Sequence, residues 1–522
     1  MTSEKPKVGL ITIGLLMGLF LSSLDQTIIS TAMPTVIKEL GGFSFYSWVF
    51  TVYMLASTST MPIYGKLADL FGRKRVYLIG ITIFLTGSVL CGFARSITEL
   101  IIFRGVQGLG AGALLPISMT IVADIYPPDK RGKFMGLFGA IFAISSIIGP
   151  ALGGLIAEQW NWGWIFYMNI PIGIPALLLI AIAMKESKSK VQLSVDWFGA
   201  MTLTVAVLSF LLALVLGGTN QESSASYAWT SPQIIGLFGT GAVFLALFLW
   251  IETKVREPII PLQLFKIRTI AIGNIVGFFM SAGMFGAIVY IPLFVQGVIG
   301  VNSTMSGYVL IPLMLSSIVT SIIGGRLMSK VSYRAILVPS MILMTVGFIF
   351  LSQITVDTTK MQMVCYMIIT GLGMGAVYPI VGTAAQSAVN SSTRGVSTSS
   401  SQFFRSIGGT IGISVFGSLL SQQLNSGLIE LNKKFDTFSV EQLEVLANPQ
   451  ALLDSGTLIS LPPEVFMALR EVFSHALDKV FLGGLIFVGI GFIASIFIGN
   501  ARLVEKKSLQ KSQESIGLSN KI

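Results

Sequence analysis

Long apolar stretches recur along this chain from one end to the other, and they constrain its fold more than any single motif. Runs of about 20 residues fall near 8–34, 46–66, 75–94, 98–123, 134–157, 163–184, 197–217, 232–251, 270–298, 304–327, 335–354, 361–388, 396–421 and 480–500. Each is long enough to cross a bilayer as a helix, the conformation that satisfies its own backbone there. The chain is 53% hydrophobic and 11% charged, whereas soluble domains carry about 25% charged residues. An all-α integral membrane protein with fourteen spans is expected, and a large soluble enzyme is excluded. Lys5 and Lys7 precede a first run too long for the core of a cleavable signal peptide, so that helix is expected to stay.

An even number of spans puts both termini on one side, and the basic residues choose which. On this map the termini and the loops beside them hold 25 of the 34 Lys and Arg. Lys38, Arg95, Lys360, Lys433, Lys434, Arg470 and Lys479 lie opposite. By the positive-inside rule both termini are cytoplasmic. The net charge of +10 is then a topology signal and a contact for anionic lipid, with no nucleic-acid partner. Cys91 and Cys365 sit in apolar runs and read as packing residues; the single histidine, His475, reads as a surface residue, so no metal site is expected. One outer loop is long, about 422–479. Its end, PEVFMALREVFSHALDKVF, spaces Val465, Leu469, Val472, Phe473 and Ala476 at helical intervals, as an amphipathic extension into the last span would.

The sequence also repeats. GLGAGALLP at 108–116 returns as GLGMGAVYP at 371–379, and Arg131-Gly132 returns as Arg394-Gly395, both at an offset of 263. GKLADLFGRKR from Gly65 has a weaker echo, GRLMSKVSYR from Gly325, at an offset of 260. Two six-helix halves in the same orientation follow, at 1–196 and 270–500, with spans 7 and 8 inserted at 197–269 and a cytoplasmic tail at 501–522. Parallel repeats with a site at their interface describe an alternating-access transporter.

Charge inside the spans is scarce. In LSSLDQTIISTAMP (21–34), Asp25 is the one acid placed well inside the hydrocarbon, at an insertion cost of about 2.5–3.5 kcal/mol. It lies about 13 Å of helix from Pro34, and Arg104 in the fourth span lies about 9 Å deep from the same side. Asp25 either exchanges a proton for contact with a cationic substrate or forms a static ion pair with Arg104. Gln107 lies one turn along from Arg104. Arg405, in SSSQFFRSIGG, shares a helical face with Ser399, Gln402, Ser406 and Gly409. It either neutralises an anionic group of a substrate or bonds backbone carbonyls. Phe279 and Met284 of span 9 and Tyr378 of span 12 are candidates for an adaptable substrate wall, against the plainer reading of lipid-facing or packing residues.

Several stretches carry a family resemblance. GKLADLFGRKR (65–75) places Gly65 and Gly72 for close approach and tight reversal, and Asp69 beside Arg73, Lys74 and Arg75. Such a cluster can latch two bundles in one state and release them in the other; the alternative is a plain basic loop. RGVQGLGAG (104–112) puts a guanidinium inside the fourth span. GAIFAISSIIGPALGG (139–154) holds Gly149, Pro150, Gly153 and Gly154, which permit a kink and close helix packing. With LDQTIISTAMP (24–34) and WNWGWIFYMNIP (160–171), these stretches resemble the major facilitator superfamily, specifically its fourteen-helix drug:H+ antiporters (the QacA/EmrB-like group), over essentially the whole chain. The resemblance implies proton coupling, which the scarcity and depth of Asp25 and Arg104 would place at that pair. It also implies an exporter's fifth-helix motif at Gly149–Gly154, and a conformational gate at Gly65, Asp69, Gly72 and Arg73 with Asp124 and Arg131. Two departures stand out: the span-13 counterpart of Pro150 is Ile413, and Gly163 stands where the group's sixth-span motif often has a basic or polar residue.

The expected function is proton-driven antiport, exporting amphipathic, cationic drugs or toxic compounds across the cytoplasmic membrane. The partners are those compounds, protons and membrane lipid, the chain acts as a monomer, and the proton gradient takes the place of a cofactor. A dedicated exporter of one metabolite or lipid fits the same fold. A receptor fits less well, because the 58-residue outer segment is small for a ligand domain. An ATP-driven pump is excluded: Gly65-Lys66 and Gly132-Lys133 are followed by Leu67 and Phe134, so no phosphate-cradling G-x-x-x-x-G-K-[ST] loop is formed.

Overall fold

The computed structural model describes residues 8–41, 45–185, 195–217, 227–300, 309–435 and 463–503; among them are sixteen α-helices, two short 3-10 turns and no strand. In the first part of the chain these are α1 (Val8–Leu40), α2 (Tyr46–Phe71), α3 (Arg73–Gly92), α4 (Ile97–Ile125), α5 (Pro128–Gln159), α6 (Trp164–Tyr167) and α7 (Asn169–Ala183). Next come α8 (Trp197–Leu216) and α9 (Pro232–Glu252). The remainder holds α10 (Arg268–Gly297), α11 (Ile311–Leu327), α12 (Tyr333–Leu351), α13 (Lys360–Gly375), α14 (Val377–Ser387), α15 (Arg394–Phe435) and α16 (Pro463–Ile496). The pairs α6/α7 and α13/α14 each make one broken span, so the helices fill the fourteen expected positions. Among the described residues eleven spans are long and apolar enough to cross a membrane on that basis alone; α2, α5 and α11, the last an apolar helix of 17 residues, complete the set.

Local chemistry sets several helix ends. Ser96 accepts from the Glu99 N–H to start α4, Asp196 from Gly199 to start α8, and Ser332 from Ala335 to start α12. Thr359 and Gln362 form a reciprocal capping box at the head of α13. At Gly72 the backbone takes φ 96°, a region glycine enters without steric penalty, and there the chain reverses from α2 into α3.

Burial divides along the repeat. One core is drawn from residues 276–503, whereas two others come from α1 to α7. A smaller cluster joins α8, Phe248 of α9 and Ile259, Ile260 to Leu55 of α2 and Phe403 of α15, which moors the inserted helices at the seam. Across the seam, α2 packs against α15 and α5 against α11. On α9, Ile235, Val243, Leu247 and Trp250 are exposed, the surface a lipid-facing helix presents.

The amphipathic extension before the last span is present. α16 runs unbroken from Pro463, with Val465, Leu469, Phe473 and Ala476 buried, Val472 half-buried and His475 exposed. α15 continues to Phe435, well past the expected end of its span, so helix occupies both flanks of the long outer segment. Its middle, 436–462, and the tail beyond 503 lie outside the described residues.

Candidate functional site

Asp25 sits in the body of α1, with Arg104 and Gln107 one turn apart on the facing side of α4. Both charged residues are 1% exposed. Arg104 Nη1 donates to Asp25 Oδ2 at 2.6 Å and to Gln107 Oε1 at 2.8 Å, while Gln107 Nε2 donates to Asp25 Oδ1 at 2.7 Å. Asn169, the first residue of α7, adds a third donor to the carboxylate at 3.1 Å and also donates to Ser88 Oγ at 2.8 Å. The guanidinium is held from its other sides by the Tyr53 ring, 4.1 Å away, and by the Val49 carbonyl, 3.4 Å from Nε. Arg104 therefore has neutral acceptors beside its carboxylate. Neutralising Asp25 would leave the guanidinium facing an amide oxygen, a carbonyl and a π face, and not bare hydrocarbon.

Asn169 was not singled out from sequence. It belongs to WNWGWIFYMNIP, and the available signal was a lone amide between Met168 and Ile170 inside a span. Gly149 of α5 approaches α1 two residues beyond Asp25: a Cβ there would lie 2.8 Å from Thr27 Cβ, and Thr27 Oγ1 donates to the Ser145 carbonyl at 2.9 Å. Gly153 is buried in the same helix. Pro150 and Gly154 lie on the α5 backbone, and their surroundings fall outside the described residues. Gly163, at the sixth-span departure, faces the Gly92 carbonyl, which a Cβ would approach to 2.8 Å.

A second cluster joins the two halves at the end of the bundle that carries the basic loops. Asp69 accepts the backbone N–H groups of Gly395 and Val396, each at 2.9 Å. A carboxylate of one half thus caps the helix N-terminus of the other, where the helix dipole favours negative charge. Arg73 donates to Asp69 at 3.1 Å and to the Ser391 carbonyl at 2.7 Å. It also pairs with Asp124, which in turn receives Arg394 Nη1 at 2.5 Å. Gly65 and Gly395 let the backbones touch: a Cβ on Gly65 would lie 2.8 Å from the Gly395 carbonyl, and one on Gly395 2.6 Å from the Gly65 carbonyl. Of the expected gate residues, Gly65, Asp69, Arg73 and Asp124 meet here, and Gly72 supplies the reversal. Arg131 instead donates to the Tyr126 carbonyl of its own half at 3.1 Å; its repeat partner Arg394 makes the crossing.

Asp69→Asn is expected to loosen this latch, because the cap loses its charge and one acceptor oxygen. The change should raise alkylation of a Thr58→Cys reporter about tenfold. Thr58 is 1% exposed and bonds Ser406 across the seam at 2.7 Å. A Cys365→Ser background removes the one exposed native thiol, Cys91 being buried. An unchanged labelling rate would show that Asp69 does not hold the halves together.

In the second half, Arg405 of α15 lies over the Tyr378 ring at 4.5 Å and donates to Gln402 Oε1. The Tyr378 hydroxyl reaches Met284 Sδ at 3.5 Å. Arg405, Gln402, Tyr378 and Met284 therefore form one group. Phe279 does not join it: its ring packs between Phe278, at 5.1 Å, and Phe487 of α16, at 5.8 Å. Asn274 and Ser281, seven residues apart on α10, mark its inward polar face, and Met284 lies closer to that face than Phe279 does.

Two helical halves, a polar latch across their seam and a buried charge network in one of them are the build of a membrane transporter. The Major Facilitator Superfamily model matches residues 15–413. Multidrug transporter protein MdtP of Bacillus subtilis (strain 168) is 41% identical over 98% of this chain and 96% of its own length. Multidrug resistance protein 3 of the same organism is 38% identical over 98% and 99%. The solved proton:xylose symporter XylE shares the fold at a TM-score of 0.58 and 13% identity, over 97% of this chain and 98% of that one. The chain belongs to the major facilitator superfamily; it is a multi-pass membrane transporter, not an enzyme.

Proposed function

We propose that this chain is a proton-driven antiporter that exports amphipathic, cationic compounds across the cytoplasmic membrane by alternating access. The multidrug transporters it resembles support the export of drugs. The observation that carries the coupling is the Asp25 network: a carboxylate at 1% exposure, bonded by a guanidinium that has neutral acceptors in reserve. A static pair needs no such reserve.

With the basic end cytoplasmic, by the positive-inside rule, the latch at Asp69, Arg73, Asp124 and Arg394 closes the inner mouth. In that state Asp25 takes a proton from outside and its hold on Arg104 weakens. When the latch opens, the proton leaves inward, and the restored carboxylate draws in a cation as the next cargo. Proton and cation thus compete for one negative charge, which makes their movements opposed. The purified chain in liposomes with an imposed pH gradient tests this. Ethidium is expected to move against the direction of proton flow, with internal pH changing only when dye is present. Dye movement without proton flux would overturn coupling, and no dye movement would favour a dedicated exporter of a single compound.

A further inference from the structure

The two halves each bury one arginine in the span region, and they treat it differently. Arg104 pairs with the Asp25 carboxylate and also donates to Gln107 and Val49. Arg405 is 3% exposed, and among the described residues no carboxylate pairs with it. Its Nη2 reaches the neutral Gln402, while Nε and Nη1 have no hydrogen-bond partner among the described residues. A buried, unpaired guanidinium is costly in hydrocarbon and persists where a counter-charge reaches it in some state of the cycle.

The surroundings point to the sign and shape of that counter-charge. Asn274 of α10 presents a second buried orphan, and it too is a donor: Nδ2 is unpartnered while Oδ1 accepts from Ser401, one turn before Arg405. Gly277, one turn beyond Asn274, leaves room for the arginine, since a Cβ there would lie 3.0 Å from Arg405 Cγ. Unmet donors on a buried cation and a buried amide suit a ligand that accepts hydrogen bonds. The Tyr378 ring and Met284 beside them suit an apolar body.

We infer that Arg405 is an anion subsite which takes the carboxylate, or a like anionic group, of an amphipathic substrate, so that zwitterionic cargo is served as well as cationic. This rests on the reading that the chain carries amphipathic compounds, and it extends that reading to a second charge class. An inorganic anion such as chloride has the same chemistry at a guanidinium, and the test must separate the two sources.

Rhodamine 110 and rhodamine 123 share a ring system and differ in that the first carries a free carboxylate and the second its methyl ester. Binding of both to the purified full-length chain in lipid nanodiscs, followed by fluorescence polarisation, is the experiment. Arg405→Gln is expected to weaken rhodamine 110 about tenfold to hundredfold, with rhodamine 123 within about twofold of wild type. Arg405→Lys, which keeps the charge, should recover part of the loss. The pattern should persist in chloride-free buffer of low ionic strength, with no other anion added in its place. Equal loss of both dyes, with an unfolding midpoint far below that of Arg405→Lys, would make Arg405 structural and overturn the subsite. Loss confined to chloride-containing buffer would assign the site to an inorganic anion and overturn it as well. Selective loss without any gradient-driven dye movement would uphold the subsite while the antiport reading fails.

Discussion

Asp25→Asn is expected to leave a folded chain that no longer concentrates dye against a gradient, its export falling to the rate of passive leak. Asparagine has the same shape but offers a single oxygen, either to Arg104 or to Gln107 and Asn169, and its NH2 faces the remaining donor or donors, so the network loses its charge and part of its hydrogen bonding. The stability loss should be about 3–5 kcal/mol, because Arg104 keeps its charge at a buried position without a carboxylate to meet it. Thermal unfolding in detergent and dye transport in liposomes read the two effects separately. The pairing with Arg104→Gln decides between the two roles. In the double variant two neutral amides face each other across α1 and α4, and the unfolding midpoint should recover toward wild type. If Asp25 served only to hold α1 to α4, transport would recover with it. Recovery of stability without recovery of transport is the expected result.

Gly65→Ala is expected to have a comparably large effect by a different route. The added methyl group would stand 2.6 Å from Ser399 Cβ and 2.8 Å from the Gly395 carbonyl, and a backbone oxygen at a helix crossing has nowhere to go. Overpacking of this kind costs about 1–3 kcal/mol. On the alternating-access proposal it acts on the closed state, since opening the latch would part α2 and α15 at this point. The equilibrium between closed and open basic ends should shift about 5-fold to 150-fold toward open. Spin labels at Lys130 and Ser392, both exposed and on opposite halves, should report a new population at longer distance. Gly395→Ala should reproduce the effect, since its methyl group meets the Gly65 carbonyl at 2.6 Å. A distance distribution that matches wild type in both variants would remove Gly65 and Gly395 from the gate.

The fold was largely legible because the bilayer leaves a chain so little choice. Apolar length alone marks a span, and the spans from residue 8 to 500 each coincide with a helix or a broken pair. The breaks themselves, at Met168 and Ala376, each lie three residues before a proline, Pro171 and Pro379, which cannot bond the carbonyl of Tyr167 or Gly375 four residues back, so the sequence carries their signal although apolar length does not. In the site, Asp25 and Arg104 were paired from depth alone, because two rare charges at one level of a membrane have few other partners. Asn169 escaped because an amide in a span is common enough to pass for packing. The partner of Asp69 escaped for a deeper reason: it is a pair of backbone N–H groups at Gly395 and Val396, and a sequence displays side chains only. The repeat placed Arg131 and Arg394 in equivalent positions, yet Asp124, the acid that receives Arg394 across the seam, is supplied by the first half. That asymmetry is visible in the repeat: at the offset of 263, Ser387 stands where the first half has Asp124.

The most direct test of competition between proton and cation at Asp25 needs no membrane. The purified chain is placed in weakly buffered detergent solution at mildly acidic pH, tetraphenylphosphonium is added, and free protons are followed with a soluble pH dye. Wild type is expected to release protons as the cation binds, and Asp25→Asn is expected to release none. Equal release from both proteins, or cation binding to wild type with no release, would contradict the exchange at Asp25 and leave its bond to Arg104 a structural tie.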